Sequence, residues 1–328
     1  MRHTTTLLAA LLATLLTVVG CSTTRPLPDD GFVQVPGGRI AFRVLGEGSG
    51  IPVLMIHGGP GGTSCGYANT LNALAESRPV IIYDQLGSGN SDLLVDLPRD
   101  AVLSRFVTEV AAVRARLGLA EVHLVGHSWG ATVALEYLLT AKPVGVRSVS
   151  FVGPLISTPL WIEDTKALVK LLPAGTQDAI NKALVSGNFG TPEFEAADTV
   201  FSQNFGVRTS MSKEERTKRF PICASTPRRF NKELYEYMWG PAEFISTGTL
   251  RNYDRVDRLR DLKLPTMFLA GEFDTARPET MRRFQALVPG SVVKVIPGAG
   301  HGVATDQTRA FNEALADFLA SVDGRSVE

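Results

Sequence analysis

The chain has 328 residues, 44% of them hydrophobic and 20% charged, and its 33 Lys and Arg balance 33 Asp and Glu. This is the composition of a soluble globular protein with one large domain or two domains. A nucleic-acid partner is excluded, because phosphate binding needs a surplus of basic residues on one face. The three Cys form no C-x-x-C or Cys/His pattern, so the sequence predicts neither a disulfide scaffold nor a metal site.

The first residues have the pattern of an export signal. Residues 1–20 contain one formal charge, Arg2, and an apolar run over 7–19 that is too short to span a bilayer comfortably. The run leads into Val-Val-Gly-Cys, ending at Cys21, which resembles a bacterial lipoprotein signal. We therefore expect a signal peptide over 1–20, a lipid anchor on Cys21 and a tether over 21–30. The expected location is the cell envelope, on a membrane and facing the periplasm or the exterior; a plain signal peptide and a buried N-terminal helix are the alternatives.

Alternating short strands and a helix follow the tether. Segments 32–35 and 40–44 flank Pro-Gly-Gly and indicate a hairpin. Fully apolar runs over 53–56, 80–83 and 122–125 predict buried strands. Between the last two, apolar residues recur at helical spacing, namely Leu103, Phe106, Val107, Val110, Val113 and Leu117. This alternation predicts an α/β fold with a mostly parallel sheet flanked by helices.

The strand pattern is interrupted and then returns. Segments 266–270 and 292–296 are two further strand candidates, and a closing amphipathic helix is predicted by Phe311, Leu315, Phe318 and Leu319. Residues 156–246 lack this alternation but hold 11 of the 25 Phe, Trp and Tyr residues. We therefore predict a core formed by 31–155 and 247–328, with a helical cap at 156–246. The cap aromatics Phe201, Phe205, Trp239 and Phe244 could line a pocket, but we favour a small core of the cap for each.

A nucleophile motif follows the strand predicted at 122–125. Residues 126–130 read Gly-His-Ser-Trp-Gly, a G-x-S-x-G pattern placed between a strand and a helix. Such a turn projects the Ser hydroxyl, and the flanking glycines avoid collisions with neighbouring strands. The pattern predicts that Ser128 is a nucleophile; an ordinary glycine-bracketed turn is the alternative.

A serine nucleophile needs a general base and a carboxylate that orients it, and in this kind of fold they follow in the order Ser, acid, His. Of the five histidines only His301 follows Ser128, in a glycine-rich loop after the last predicted strand. The loop after strand 266–270 offers Asp274 and Glu272 as the acid. We predict Asp274, with Glu272 as the alternative, because only geometry separates two residues this close.

Backbone N–H groups must stabilise the oxyanion of acyl transfer. One is expected from Trp129, which follows the nucleophile, and the second from Gly59 in the glycine-rich loop 57–62. A dinucleotide-binding loop with Asp84 as the ribose acid is the competing interpretation. It fails on spacing, because Ser64 stands where the third glycine would be needed. We therefore expect no cofactor.

Taken together, these motifs resemble those of the proline iminopeptidase family of α/β-hydrolases, which includes amino-acid amidases. The resemblance rests on His-Gly-Gly-Pro-Gly at 57–61, the segment 84–91, Gly-His-Ser-Trp-Gly at 126–130, Gly-Pro-Ala-Glu-Phe at 240–244, Gly-Glu-Phe-Asp at 271–274 and Gly-His at 300–301. It implies an α/β-hydrolase fold with a helical cap. It also implies a serine aminopeptidase that releases N-terminal proline or another apolar residue from short peptides or amino-acid amides.

Within that family a cap glutamate binds the α-ammonium group of the substrate, and the resemblance gives this role to Glu243. A solvated or ion-paired Glu is the alternative. Leu86 and His127 depart from the family pattern, where Arg and Gly are common. A carboxylesterase or lactonase with the same triad is the second functional hypothesis, and a non-catalytic binding protein is the third. Two interpretations of Cys65 and Cys223 also stay open, a disulfide between core and cap or two thiols.

Overall fold

A computed structural model describes residues 27–324 of the protein. An eight-stranded sheet runs through it in the order β1-β2-β4-β3-β5-β6-β7-β8. The strands are β1 Asp30–Val35, β2 Gly38–Leu45, β3 Val53–Ile56, β4 Val80–Tyr83, β5 Val122–His127, β6 Val146–Val152, β7 Thr266–Gly271 and β8 Val292–Ile296. β2 pairs antiparallel with β1 and β4, and all other neighbouring strands pair parallel.

Helices connect the strands and cover both faces of the sheet. They are α1 Tyr67–Thr70, α2 Asn72–Ala75, α3 Leu97–Asp100, α4 Leu103–Leu117, α5 Trp129–Glu136, α6 Thr158–Val169, α7 Ala174–Ser186, α8 Pro192–Phe201, α9 Lys213–Arg219, α10 Pro221–Ser225, α11 Lys232–Met238, α12 Pro278–Gln285, α13 Val303–Asp306 and α14 Thr308–Asp323. No helix within 27–324 is both long and apolar enough to cross a bilayer. The predicted signal peptide and Cys21 lie outside the described residues.

The apolar runs of the sequence form the buried centre of the sheet. β3, β4 and β7 are buried at every position, as expected for parallel strands covered on both faces. One face packs against α4 through Phe106, Val110 and Val113. The opposite face packs against α14 through Phe311 and other apolar residues. The predicted fold class, the hairpin, the helix over 103–117 and the closing helix are confirmed.

The sequence patterns gave no indication of β6. This strand carries two serines among its apolar residues, and Ser148 and Ser150 are both fully buried. The hydroxyl of Ser148 is 2.8 Å from Nδ1 of His123 on β5. A neighbouring strand thus supplies a hydrogen-bond partner for Ser148, whereas the buried hydroxyl of Ser150 has none among residues 27–324.

Six α-helices, α6 to α11, lie between β6 and β7, together with a short π-helix and a 3-10 helix. This segment contributes a small apolar cluster of its own, which includes Phe194, Phe201, Phe205 and Phe244. The predicted cap limits, 156 and 246, fall in the loops before α6 and after α11. A disulfide joins Cys65, in the loop before α1, to Cys223 in α10, with the Cα atoms 5.0 Å apart. The disulfide, rather than the pair of thiols, is thus what the structure contains.

Candidate active site

Ser128 lies in the tight turn between β5 and α5. Its φ of 55° and ψ of −121° are a costly conformation for a residue with a side chain. In this turn α5 approaches β3 so closely that the two flanking positions have no room for a Cβ atom. A Cβ on Gly130 would stand 2.1 Å from the carbonyl oxygen of Ile56, and one on Gly126 would stand 2.6 Å from the carbonyl oxygen of Gly130. The flanking glycines are therefore steric requirements of this turn.

His301 and Asp274 meet on the loops that follow β8 and β7. Nδ1 of His301 is 2.8 Å from Oδ1 of Asp274. The same Asp274 carboxylate accepts hydrogen bonds from the backbone N–H groups of Ala276 and Gly271 and has no exposed surface. Glu272 is exposed and accepts a hydrogen bond from the N–H of Gly298. The geometry thus pairs His301 with Asp274 and not with Glu272.

The electrostatic surroundings of His301 favour its protonated form. Burial lowers the pKa of His301, but the charge and hydrogen bond of Asp274, together with the charge of Glu243, raise it more, so the net shift is upward. The neighbouring His127 has a pKa lowered to about 3, chiefly by burial and then by the charge on His301. Neutral His127 can donate its Nε2–H to the carbonyl oxygen of His301, 2.9 Å away. Of the two rings, only His301 is suited to accept a proton near neutral pH.

The His301 loop is also bound to the cap. The backbone N–H of His301 donates to the carbonyl of Phe205 at 2.8 Å, and the N–H of Gly302 donates to that of Gly206 at 2.9 Å. The ring of Trp161, on α6, packs edge-on against the His301 ring at 5.3 Å between centroids. Contacts from both the core and the cap therefore fix the position of His301.

The loop over 57–62 passes directly against Ser128. A Cβ on Gly58 would lie 3.0 Å from the Cβ of Ser128. Among residues 27–324, no acceptor receives the backbone N–H of Gly59 or of Trp129. Two unpaired donors next to a serine are what an oxyanion site requires.

A buried hydrogen-bond network holds this loop. The N–H of Gln85 donates to Nε2 of His57 at 3.0 Å, so Nδ1 carries the proton and donates to the carbonyl of Gly58. Burial lowers the pKa of His57 in spite of the nearby charge of Asp84, which keeps this tautomer neutral. The indole N–H of Trp129 donates to the side-chain oxygen of Gln85 at 2.8 Å. The loop and the start of α5 are thus fixed to each other.

Asp84 is buried and accepts hydrogen bonds from the backbone and side chain of both Ser64 and Asn90. All of these donors belong to loops of the core. A carboxylate with its oxygens occupied in this way positions loops rather than reacting.

Two acidic residues of the cap lie in the electrostatic field of the site. Tyr235 donates its hydroxyl to Oε1 of Glu243 at 2.8 Å, and Trp161 donates its indole N–H to the Glu243 carbonyl at 3.0 Å. Burial raises the pKa of Glu243, with Asp274 adding to the rise and His301 opposing it. Burial and the charge of Glu243 raise the pKa of Asp198, on α8, to about 6. The cap therefore places negative charge beside His301.

The sequence patterns did not identify Asp198 or Gly153 as residues of the site. Asp198 lies on α8 next to the buried positions Phe194, Ala197 and Phe201, and an acidic residue beside an apolar stripe was the available signal. Gly153 follows β6 with a φ of +47°, and a Cβ there would lie 2.8 Å from Nδ1 of His301 and 2.9 Å from Oδ2 of Asp274. A glycine at this position leaves room for the acid–base pair.

Known proteins share this fold and are similar to this chain in sequence. Residues 51–306 match the family model described as alpha/beta hydrolase fold. A proline iminopeptidase of Heyndrickxia coagulans is 40% identical over 298 residues, which are 89% of this chain and 99% of the relative. One from Lactobacillus delbrueckii subsp. lactis is 34% identical over 86% of this chain and 94% of its own. The crystal structure of a proline iminopeptidase from Mycobacterium smegmatis, 30% identical, gives a TM-score of 0.78 over 90% of this chain and 98% of that one.

The sheet, the serine turn and the family match together define an α/β hydrolase. The identity and coverage of the relatives go further. The chain belongs to the proline iminopeptidase family, as its motifs indicated.

The lack of room for a side chain at Gly153 can be tested by substitution. We expect Gly153→Ala to lower kcat for p-nitrophenyl acetate at least about 100-fold, because the new methyl group displaces His301 or Asp274 from their contact. Gly118→Ala is the matched control, since Gly118 also has a positive φ, +64°, but no atom within 4 Å of an added Cβ. Equal kcat values for the two variants, measured together with their thermal denaturation, would contradict this account.

Proposed function

We propose that the protein is a serine aminopeptidase that releases N-terminal proline, or another apolar residue, from short peptides. The observation that carries this proposal is the partly buried carboxylate of Glu243, which interacts electrostatically with the His301–Asp274 pair. A substrate with a free amino group supplies the positive charge that this carboxylate lacks. The names of the relatives support the choice of proline.

In the proposed reaction, Ser128 attacks the carbonyl carbon of the first residue while His301 takes the hydroxyl proton. Asp274 holds the ring of His301 and stabilises its charged form, in line with their 2.8 Å contact. The N–H groups of Gly59 and Trp129 stabilise the oxyanion. His301 then gives the proton to the leaving amine, and water attacks the acyl-enzyme by the same route in reverse.

The amino group of the substrate would lie between the cap and the triad. Glu243 is held by Tyr235, and Asp198 is close enough for their charges to interact. Two carboxylates around one ammonium group form the stronger, charge-assisted kind of hydrogen bond. An esterase or lactonase acting on a neutral substrate would leave this partly buried negative charge without a partner, so the carboxylates favour the aminopeptidase over that alternative.

Substrate panels test the role of Glu243. We expect Glu243→Gln to lower kcat/KM for prolyl-p-nitroanilide about 10- to 100-fold, since it removes one charge-assisted hydrogen bond. Turnover of p-nitrophenyl acetate should change little, and Ser128→Ala should abolish both reactions. Glu236→Gln is the control, because Glu236 lies on α11 with an exposed side chain paired to Lys232. The proposal fails if the wild type cleaves N-blocked prolyl-p-nitroanilide as well as the free amine, or if Glu243→Gln retains the free-amine preference.

Asp198 gives the reaction a pH dependence. Its pKa is raised to about 6, so the carboxyl is neutral below that pH and adds a negative charge above it. We expect KM for prolyl-p-nitroanilide in Asp198→Asn to match the wild type at pH 5 and to exceed it about fivefold at pH 8, a size suited to a half-buried charge. Steady-state kinetics between pH 5 and 8 give this ratio. A ratio that stays constant with pH would remove Asp198 from the amine site.

We also propose that the protein is exported and anchored to a membrane of the cell envelope through lipid on Cys21. Two observations support this location: the lipoprotein-like sequence before Cys21 and the disulfide between Cys65 and Cys223. Disulfides persist in oxidising compartments and are rare in the cytosol.

Fractionation of cells that express the full chain tests the anchor. We expect the wild type in the membrane fraction and Cys21→Ser in the soluble fraction, because the thiol that carries the lipid is lost. Cys65→Ser is the control for loss of a Cys outside the signal and should remain with the membrane. Membrane retention of Cys21→Ser, or a wild type found in the cytosol, would overturn the proposed location.

A further inference from the structure

A cavity of about 510 Å³ lies beside the His301 loop, between the core and the cap. Cavities of this volume hold small ligands in many proteins. On the core side it is lined by Cys65, Gly66 and Thr305, and on the cap side by residues between Val207 and Arg229. Glu243, Asp198, Tyr235 and Trp161 are not among its lining residues. The cavity is therefore distinct from the part of the cap that holds Glu243 and Asp198.

The walls of this cavity are continuous with the candidate catalytic segments. Val207 packs so closely on Gly302 that a Cβ on this glycine would lie 2.6 Å from Cγ2 of Val207. Thr305 belongs to α13, which begins two residues after His301. Cys65 and Gly66 follow the loop 57–62 that carries Gly59. The cavity therefore adjoins the segments that carry His301 and Gly59, while Ser128 and His301 themselves do not line it.

The charge of the cavity is positive. Arg216 and Arg229 line it, and no Asp or Glu does so. Neither guanidinium group has an ion-pair or hydrogen-bond partner within 27–324. In contrast, Arg219 on the same helix as Arg216 donates to Thr305 and Thr308. Two unpaired guanidinium groups at a cavity without acidic residues fit a carboxylate ligand.

We propose that this cavity binds the leaving part of the substrate, with Arg216 and Arg229 binding its terminal α-carboxylate. The proposal rests on the proposed aminopeptidase function, which places the amino group at Glu243 and the attacked carbonyl at Ser128. The residues after the cleaved peptide bond then extend away from Glu243, towards the positive charges of Arg216 and Arg229. The substrate class that follows is short peptides with a free carboxyl terminus, in preference to amino-acid amides.

Paired peptides test this selectivity. The kcat/KM of the wild type is measured for Pro-Gly-Gly and for the same peptide with an amidated carboxyl terminus. We expect the free acid to be preferred about tenfold, mainly through KM, as two exposed charge-assisted contacts allow. The preference should fall in 0.5 M NaCl, since salt screens exposed charges.

Variants assign the preference to the two arginines. In the double variant Arg216→Gln/Arg229→Gln we expect the ratio of kcat/KM for acid and amide to fall close to one, with folding checked by thermal denaturation. Lys213→Gln/Lys218→Gln is the matched control. It removes two charges from α9 that do not line the cavity, and it should keep the ratio of the wild type.

The outcomes separate this inference from the proposed function. A wild-type ratio near one, or a tenfold preference that persists in the arginine double variant, would overturn the role of the cavity. If prolyl-p-nitroanilide and both peptides resist hydrolysis by the wild type, the aminopeptidase function itself fails.

Discussion

The contact between Asp274 and His301 is the interaction on which the rest of the site depends. It joins the loops after β7 and β8, orients the imidazole, and raises the pKa of His301 against the opposing effect of burial. Its geometry imposes a glycine at 153, because any side chain there would enter the space that the pair occupies. The cap binds to the backbone of the same loop through Phe205 and Gly206. One hydrogen-bonded pair thus links the end of the sheet, a glycine with positive φ and the cap.

Much of this arrangement could be predicted from the sequence because it follows from short, contiguous sequence patterns. The buried strands are uninterrupted apolar runs, and the elbow glycines, Asp274 and His301 follow strands in a fixed order along the chain. The patterns failed where partners come from distant segments. β6 contains Ser148, whose buried hydroxyl is paired with a residue of a neighbouring strand, and the constraint on Gly153 comes from side chains more than 100 positions later in the sequence.

Asp198 is a candidate site residue that could not be predicted for the same reason, namely that its surroundings come from distant segments. Its elevated pKa arises from burial and from the charge of Glu243, which lies on a different segment of the cap. The helix pattern alone shows only an acidic residue next to apolar ones. A motif identified Glu243 because the residues around it are contiguous, whereas the second carboxylate depends on how the cap helices pack.

The two departures from the family motifs have different physical consequences. His127 adds a contact, since it can donate to the carbonyl of His301 and so supports the loop that carries His301. Leu86 is fully buried, and its N–H donates to Glu109, a buried carboxyl group whose other oxygen has no partner within 27–324. Burial raises the pKa of Glu109 well above its usual range. Leu86 thus contacts this carboxyl group through its backbone alone and brings no charge to it, and neither departure removes a group needed for the proposed reaction.

The disulfide has a topological consequence for the chain. It closes a covalent ring over residues 65–223 that contains Ser128, while Asp274 and His301 lie outside the ring. A protease that cuts once in a cap loop between α6 and α10 produces two fragments, with Ser128 on one and His301 on the other. The sulfur bridge keeps these fragments in a single molecule, so a nicked chain can retain Ser128, Asp274 and His301 together.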